Sequence, residues 1–353
     1  MSVLCGAFSK SCSHRPYLNL NRRMYWHLLA LCLTALFVSS GAAQSTDNVH
    51  IVPRVKSEVA PADTSDGLSV RTKPLRVDVN LVLVPVTVTD LKNRPVTDLT
   101  KEDFKLFEAE KEQKIQDFFA EDARISIGLI VDLSSSMSNK IDAVHQAVDE
   151  FFKYANPEDD YFVITFADRP RLIADTTQSI EEIQSQLGMA KAKGNTALAD
   201  AIYMGVSKLK SARYTRKALV IISDGGDNNS RHSLRQTKNM VRESDVQVYA
   251  IDVCDGPKLL VTKKLEERFG KQWLTEVTES TGGRTMVVDD ATKIPEAAAQ
   301  TSLELRTQYV LGYRPENPSH NGKWRKLKVR VSRPAAAAPL QVYYRTGYFD
   351  GHN

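Results

Sequence analysis

The sequence predicts an α/β protein. A doubly wound, mostly parallel sheet occupies the middle of the chain and is flanked by a small β domain built from N- and C-terminal strands. Between Ile125 and about Arg306, near-continuous apolar runs alternate with segments whose apolar residues have helical spacing. This alternation is typical of buried parallel strands connected by helices. Before and after it, apolar and polar residues alternate with the period of a strand.

Residues 1–43 are predicted to be a secretory signal. The apolar run LLALCLTALFV, residues 28–38, follows Arg22 and Arg23, and the small residues Gly41 and Ala43 fit cleavage after Ala43. The run is shorter than the roughly 20 residues of a membrane-spanning helix, and none is predicted in the mature chain. We therefore expect an exported protein of the periplasm, the cell envelope or the extracellular space.

Residues 44–72 are polar and interrupted by prolines, which indicates a flexible linker. A β-strand segment is then predicted over residues 73–122, and a second over residues 307–353. In the first, strand periodicity starts near Arg76 and is interrupted at Pro85, and residues 104–108 and 113–119 are predicted to form a hairpin. As a hypothesis, the two segments pair into one small β domain with the α/β core inserted between them.

The predicted core covers residues 123–306. Its helices are indicated by apolar stripes that begin at Ile141, Ile180 and Leu198. Its strands are predicted over residues 125–132, 161–167, 171–176, 218–223, 246–253 and 285–288. Strands alternating with helices in this way predict a sheet covered on both faces.

The charge distribution argues against nucleic acid as a partner. The chain carries 47 basic and 43 acidic residues, and its first 43 residues hold four of the basic residues and no acid. The remainder is balanced at 43 to 43. A nucleic-acid-binding body would need a basic field of its own. Any preference for acidic groups is therefore predicted to come from one bound cation, not from the field of the protein.

One cluster of oxygen-bearing residues follows the first core strand. Asp132, Ser134 and Ser136 form the pattern Asp-x-Ser-x-Ser at the carboxyl end of that strand, the edge at which open α/β sheets bind ligands. Thr196 lies on a loop before a helix, and Asp224 follows the fourth strand. These hard oxygen ligands suit Mg²⁺, with Mn²⁺ or Ca²⁺ as alternatives. With two carboxylates and three neutral hydroxyls as candidate ligands, such a cation is expected to keep an open position for a carboxylate of a partner.

A purely structural interpretation stays open at this point. Ser134 and Ser136 are also suited to cap the following helix. Asp224 precedes Gly225 and Gly226, so it is also suited to form a turn. Asp227 and its two asparagine neighbours are either support for the site or a polar loop.

These residues resemble the metal-ion-dependent adhesion site of von Willebrand factor type A domains. Asp132, Ser134 and Ser136 match the family's Asp-x-Ser-x-Ser, Thr196 its threonine and Asp224 its aspartate. The flanking segments, residues 76–90, 96–108 and 308–315, are similar to those of secreted bacterial proteins called VWFA-related, which are common among acidobacteria. The resemblance implies that Asp132, Ser134 and Ser136 ligate Mg²⁺. It also implies that Thr196 binds directly or through water, and Asp224 mostly through water.

Three functions follow from this interpretation. The first is a non-enzymatic, adhesion-type module that captures an acidic group of a protein partner through the metal. The second is a structural or assembly subunit in which the metal only stabilises the fold. The third is a metal-assisted hydrolase, which needs a general base or a second metal near the site. No well-placed histidine or glutamate is evident in the sequence, so we predict that the protein is not an enzyme.

Overall fold

The computed structural model describes residues 81–120, 122–254, 263–316, 321–332 and 339–351, without the side chains of residues 263–269 and 271. The predicted signal (1–43) and linker (44–72) lie outside the described residues, as does the start of the first β-strand segment. All of the described residues belong to one compact unit.

The elements of this unit alternate as predicted in the middle of the chain. The strands are β1 (Val82–Thr89), β2 (Phe104–Glu108), β3 (Lys111–Gln113), β4 (Ile115–Phe119), β5 (Ile125–Asp132), β6 (Asp160–Phe166), β7 (Pro170–Thr177), β8 (Arg216–Ser223), β9 (Gln247–Val253), β10 (Thr285–Val288), β11 (Tyr309–Tyr313), β12 (Trp324–Val331), β13 (Gln341–Tyr344) and β14 (Gly347–Phe349). The helices are α1 (Ile141–Phe152), α2 (Ile180–Gly188), α3 (Leu198–Lys210), α4 (Leu234–Glu243), α5 (Lys263–Ser280) and α6 (Ile294–Arg306). Short 3₁₀ helices lie at Lys101–Asp103, Ser135–Met137 and Ala291–Lys293.

The central sheet has six strands in the order β10-β9-β8-β5-β6-β7. All neighbours are parallel except the edge strand β7, which pairs antiparallel to β6. Every residue of β5, β6 and β9 is buried, because helices cover both faces. Buried residues of α1, α2 and α6 pack on one face, and those of α3, α4 and α5 on the other. The doubly wound α/β fold is confirmed.

The outer strands form two four-stranded antiparallel sheets, β13-β1-β11-β4 and β14-β12-β2-β3. In each sheet, strands from before the α/β core pair with strands from after it. Apolar residues of both sheets share one buried core, which includes Val86, Leu106, Leu311 and Val329. The small β domain built from N- and C-terminal strands is confirmed, and it is a β-sandwich.

Two local predictions about this sandwich are wrong. Residues 113–119 do not continue the hairpin of β2. Of the predicted second strand, only Gln113, the last residue of β3, pairs with β2, and β4 crosses to the other sheet to pair with β11. Residues so far apart in sequence carry no local signal of their pairing. Pro85 does not interrupt β1 either. It pairs with Val310 of β11, and β13 pairs only with Val86–Thr89, so the pairing with β13 does not need the missing N–H of the proline.

A buried polar network joins the sandwich to the α/β core. The Gln308 amide donates to the Tyr249 hydroxyl at 2.9 Å and to Thr87 Oγ1 at 3.1 Å. It also accepts from Arg216, the first residue of β8, at 3.0 Å. This contact lies at the amino end of β8. The opposite, carboxyl edge of the central sheet is therefore left for the candidate site.

Candidate metal centre

Asp132 is the last residue of β5 and is fully buried. Its Oδ1 accepts a hydrogen bond from the Ser134 backbone N–H at 2.8 Å, and its Oδ2 accepts one from Ser223 Oγ at 2.6 Å. Ser223 ends the neighbouring strand β8. The carboxylate therefore has a fixed orientation, and each of its oxygens keeps further capacity to accept.

The two serines of the pattern present their hydroxyls to each other. Ser134 Oγ and Ser136 Oγ are 3.0 Å apart. Ser134 precedes the 3₁₀ helix Ser135–Met137, but its side chain makes no capping hydrogen bond. The capping interpretation is therefore wrong for Ser134. Ser134 is buried whereas Ser136 is exposed, so the hydroxyl pair extends from the buried carboxylate to the surface.

The loop that carries Thr196 is bonded to the loop that carries these serines. The Ser135 N–H donates to the Gly194 carbonyl at 3.0 Å, and the Gly194 N–H donates to Ser135 Oγ at 3.0 Å. A third bond joins the Lys193 N–H to the Leu133 carbonyl at 2.8 Å. Gly194 has φ of +105°, a backbone conformation that glycine adopts without strain. The structure thus brings Thr196 to the Asp-x-Ser-x-Ser loop.

The polar run after Asp224 holds Thr196 from the other side. The Thr196 N–H donates to Asn228 Oδ1 at 2.9 Å, and the Thr196 carbonyl accepts from the N–H groups of Asn228 and Asn229 at 3.0 Å each. Asp227 Oδ2 accepts from the Ala199 N–H at 3.1 Å. We call Asp227, Asn228 and Asn229 the loop clamp. Of the two sequence interpretations of this run, the structure favours support for the site, because the run fixes the backbone of Thr196.

Asp224 follows β8 and is half-buried. Its Oδ1 accepts from the Gly226 N–H at 3.3 Å, so the turn-forming role is also present. Burial, and secondly the nearby charge of Asp224, raise the pKa of Asp132 to about 6. The two carboxylates are therefore close enough to repel each other. All five predicted residues lie on three loops of one sheet edge.

The donor set fits a hard divalent cation. It consists of two carboxylates and three hydroxyls, the oxygen ligands that Mg²⁺ and Ca²⁺ bind and that zinc and copper rarely prefer in such numbers. A cation here would offset the repulsion between Asp132 and Asp224 and would favour the charged form of Asp132. Within the described residues, no group of three His, Cys, Asp or Glu side chains is placed to hold a metal. The candidate site therefore depends on its hydroxyl groups.

Helix α5 makes a close approach to the Asp224 loop that the sequence did not reveal. A Cβ added to Gly270 would lie 1.9 Å from the Gly225 carbonyl oxygen. Gly225 itself has φ of +78°. Glycine costs about 1 kcal/mol relative to alanine inside a helix. Its presence in the middle of an 18-residue helix is explained by this contact with the loop beside Asp224.

Gly270→Ala is expected to weaken Mn²⁺ binding about tenfold and to lower the free energy of unfolding by about 1–3 kcal/mol, because the added methyl group displaces Gly225 or α5. Isothermal titration calorimetry and urea unfolding measure the two effects. Gly188→Ala is the matched control, since a Cβ at that helical position meets nothing within 4 Å. Mn²⁺ affinity equal to that of wild type would show that α5 does not position the loop.

A histidine–aspartate pair anchors the far end of the same loop, and sequence reasoning missed it. His232 Nδ1 lies 2.7 Å from Asp200 Oδ1, and the His232 ring stacks on Tyr203 with centroids 3.9 Å apart. Burial raises the pKa of Asp200, but the bonds from the backbone N–H groups of His232 and Arg231 outweigh it and the net shift is downward. Asp200 lies in the first turn of α3, so the pair ties the loop to that helix.

The family comparison agrees with this geometry. A family model described as von Willebrand factor type A domain matches residues 127–226, a stretch that contains all five candidate ligands. The central part of the chain is therefore a von Willebrand factor type A domain. A comparison of the sequence with curated proteins found no match. The finer resemblance to secreted VWFA-related proteins stays a prediction.

Several solved structures are similar to this chain at low sequence identity. An aerotolerance-related membrane protein from Bacteroides fragilis is 16% identical, with 51% of this chain and 99% of that chain covered and a TM-score of 0.40. A von Willebrand factor type A protein from Catenulispora acidiphila is 11% identical over 64% and 67%, with a TM-score of 0.45. Proximal thread matrix protein 1 from the mussel byssus, with a zinc-occupied MIDAS motif, is 19% identical over 56% and 49%, with a TM-score of 0.40.

In the part of the chain that the structure describes, every helix is too short or too polar to cross a bilayer.

Proposed function

We propose that this protein is a non-enzymatic binding module that holds a Mg²⁺-type cation and uses it to capture a carboxylate of a protein partner. The observation that carries the proposal is the joining of the three loops. Asp132, Ser134 and Ser136 are in direct contact through hydrogen bonds. Thr196 and Asp224 lie on loops bonded to theirs or to each other. When bound, the cation supplies positive charge and an open coordination position for a carboxylate oxygen.

The exposure of the donors supports capture of an outside group. Asp132 and Ser134 are buried, Asp224 is half-buried and Ser136 is exposed. A cation held by such a set is buried on the protein side and open on the solvent side. The two carboxylates balance the charge of a divalent cation, so capture of a further carboxylate rests on the open coordination position of the cation.

A purely structural role for the metal is less well supported. The hydrogen bonds of Gly194, Thr196 and Asn228 already join the loops through protein groups alone. A cation is therefore not needed to bring the loops together. A fold-stabilising metal would be expected where such bonds are missing.

A hydrolase would need a general base. The structure describes two histidines, of which His145 lies on α1. His232 is bonded to Asp200 and stacked on Tyr203, which suits an anchor of the loop. We therefore propose a binding role. We also propose export, which is supported by the apolar run 28–38 between two arginines and small residues.

The proposal is tested with two labelled peptides that differ only in one glutamate or glutamine among glycine and serine residues. Fluorescence anisotropy follows their binding to the full mature chain during a Mg²⁺ titration, and thermal unfolding is recorded in parallel. The glutamate peptide is expected to bind only with Mg²⁺, at least tenfold more tightly than the glutamine peptide, because only a carboxylate completes the coordination of the cation.

Addition of EDTA is expected to release the glutamate peptide and leave the protein folded. The melting temperature should fall only by the amount that linkage to Mg²⁺ binding requires. If Mg²⁺ raised the melting temperature but neither peptide bound, the structural role would replace the proposed one.

A further inference from the structure

Four basic side chains are exposed on the loops that form the candidate metal centre or on the neighbouring turn between β6 and β7. They are Arg169, Lys191, Lys193 and Arg231, and we call them the basic rim. Lys191 and Lys193 precede Thr196 on the same loop, Arg169 follows β6, and Arg231 follows the loop clamp. The rim thus draws on three separate segments of the chain.

Hydrogen bonds connect the segments that carry these residues to the metal-binding loops. The Lys193 N–H donates to the Leu133 carbonyl at 2.8 Å, next to Ser134. Asp168, the neighbour of Arg169, accepts from the Asn195 N–H at 2.9 Å through Oδ1 and from Asn229 Nδ2 at 2.7 Å through its carbonyl. The Arg231 N–H donates to the carboxylate of Asp200. A fixed network therefore connects the rim to Thr196 and Ser134.

The acidic residues near these loops are mostly withdrawn from the surface. Asp132 is buried, Asp200, Asp224 and Asp227 are half-buried, and of the five only Asp168 is exposed beside the four rim residues. Among the described residues, no ion pair involves any of the four rim residues. Their charges are therefore available to a partner.

This local excess of basic over acidic side chains at the exposed surface contrasts with the composition of the whole chain. Beyond residue 43, basic and acidic residues balance at 43 to 43, and the sequence alone predicted that attraction for acids comes only from a bound cation. The fold changes that expectation, because it joins segments that carry four exposed basic residues, from distant parts of the chain, to one site. The electrostatic fields of these basic residues add to the field of a bound cation, because charges within about one Debye length of each other are only partly screened.

We infer that the basic rim and the metal centre together bind an acidic segment of a protein partner, in which one carboxylate reaches the cation and neighbouring carboxylates reach the rim. This inference rests on the proposed function and specifies its partner. In an extended peptide, every second side chain lies on the same face, about 6.6 Å apart, which a long lysine or arginine side chain can span. A long polyanion fits less well, because it would extend beyond the rim onto a charge-balanced surface.

The test compares capped, labelled glycine-serine peptides of equal length that hold one or four glutamates. Fluorescence anisotropy measures their affinities for the full mature chain with saturating Mg²⁺. At about 50 mM NaCl, the four-glutamate peptide is expected to bind about tenfold more tightly, and at about 500 mM NaCl only about twofold. The single-glutamate peptide should depend far less on salt.

The variant Lys191→Gln/Lys193→Gln separates the rim from the metal. It is expected to reduce the tenfold preference to about threefold, while the affinities for Mg²⁺ and for the single-glutamate peptide stay within twofold of wild type. Lys105→Gln/Lys114→Gln is the matched control. Both lysines are exposed on the β-sandwich and should leave the preference unchanged.

Four outcomes would overturn the inference. The first is an unchanged tenfold preference in Lys191→Gln/Lys193→Gln, and the second is an equal loss of preference in the control variant. The third is undiminished binding of the four-glutamate peptide in EDTA. The fourth is equally strong competition by a sulfated polysaccharide, which would assign the rim to polyanions in general. If the wild-type chain did not bind the single-glutamate peptide in the presence of Mg²⁺, the proposed function itself would be refuted.

Discussion

Asp132→Asn is expected to weaken Mg²⁺ and Mn²⁺ binding at least a hundredfold. The substitution keeps the shape of the side chain and an oxygen that accepts from Ser134 or Ser223, but it removes the charge. A unit negative charge about 2 Å from a divalent cation contributes about 4 kcal/mol even at the dielectric constant of water. Calorimetric titration of the wild-type and variant chains with Mn²⁺ measures the loss.

The fold of this variant is expected to survive. Asp132 is buried and close to Asp224, and burial has already raised its pKa, so a neutral amide is tolerated without metal. Circular dichroism and thermal unfolding in EDTA should resemble those of wild type. Asp142→Asn, an exposed carboxylate in the first turn of α1, is the control for a general loss of charge. Unchanged Mn²⁺ affinity in Asp132→Asn would refute the assignment of the site.

Arg284→Met is expected to lower the free energy of unfolding by about 3–5 kcal/mol. Its guanidinium forms two hydrogen bonds with Glu304, whose side chain is 0% exposed. It also donates to Asn93 Oδ1 at 2.8 Å and to the Tyr343 hydroxyl at 3.3 Å, which belong to segments of the β-sandwich. Removal of one partner of a buried pair leaves an uncompensated charge. Urea unfolding of the metal-free chain measures the effect.

The pH dependence of this loss has a definite sign. Burial already raises the pKa of Glu304 against the pull of Arg284, and without Arg284 the pKa rises further. A carboxyl with a raised pKa binds more protons in the folded state, so stability falls as pH increases above its unfolded value of about 4.3. The destabilisation by Arg284→Met is therefore expected to be largest near pH 8 and to shrink toward about pH 5.

Arg124→Met is the matched control for this prediction. The Arg124–Glu158 pair is exposed, with 51% and 61% of the two side chains accessible, and such pairs contribute less than about 1 kcal/mol. A similar loss in both variants would show that burial does not decide the energy of the Arg284 pair.

Most of the candidate metal centre could be predicted from local sequence patterns. Asp132, Ser134 and Ser136 are recognisable because they lie within five residues at the end of an apolar strand, and Thr196 and Asp224 also border predicted elements. The carboxyl ends of parallel strands meet at one edge of a sheet, so the sequence was sufficient to predict that the five candidate ligands lie close together. The loop clamp was visible only as a polar run, because its bonds to Thr196 cross about thirty residues of chain.

The β-sandwich shows the limit of the same reasoning. The strand character of β4 was readable, but its partner β11 was not, because the two strands are nearly two hundred residues apart. The approach of Gly270 to Gly225 was also unreadable, since a glycine inside a helical pattern gives no indication of what it packs against.

The sequence by itself determined the alternation of buried strands and helices, the edge of the sheet at which a cation could bind, and the oxygen ligands available to it. These follow from hydrophobic period and from the chemistry of individual side chains, which are local properties. Only the tertiary structure decided which strands share a sheet, which groups hold the metal-binding loops, and that four exposed basic residues lie on the loops of the site or on a turn bonded to them. Each of these depends on contacts between distant residues, whose energies arise only when the chain is folded.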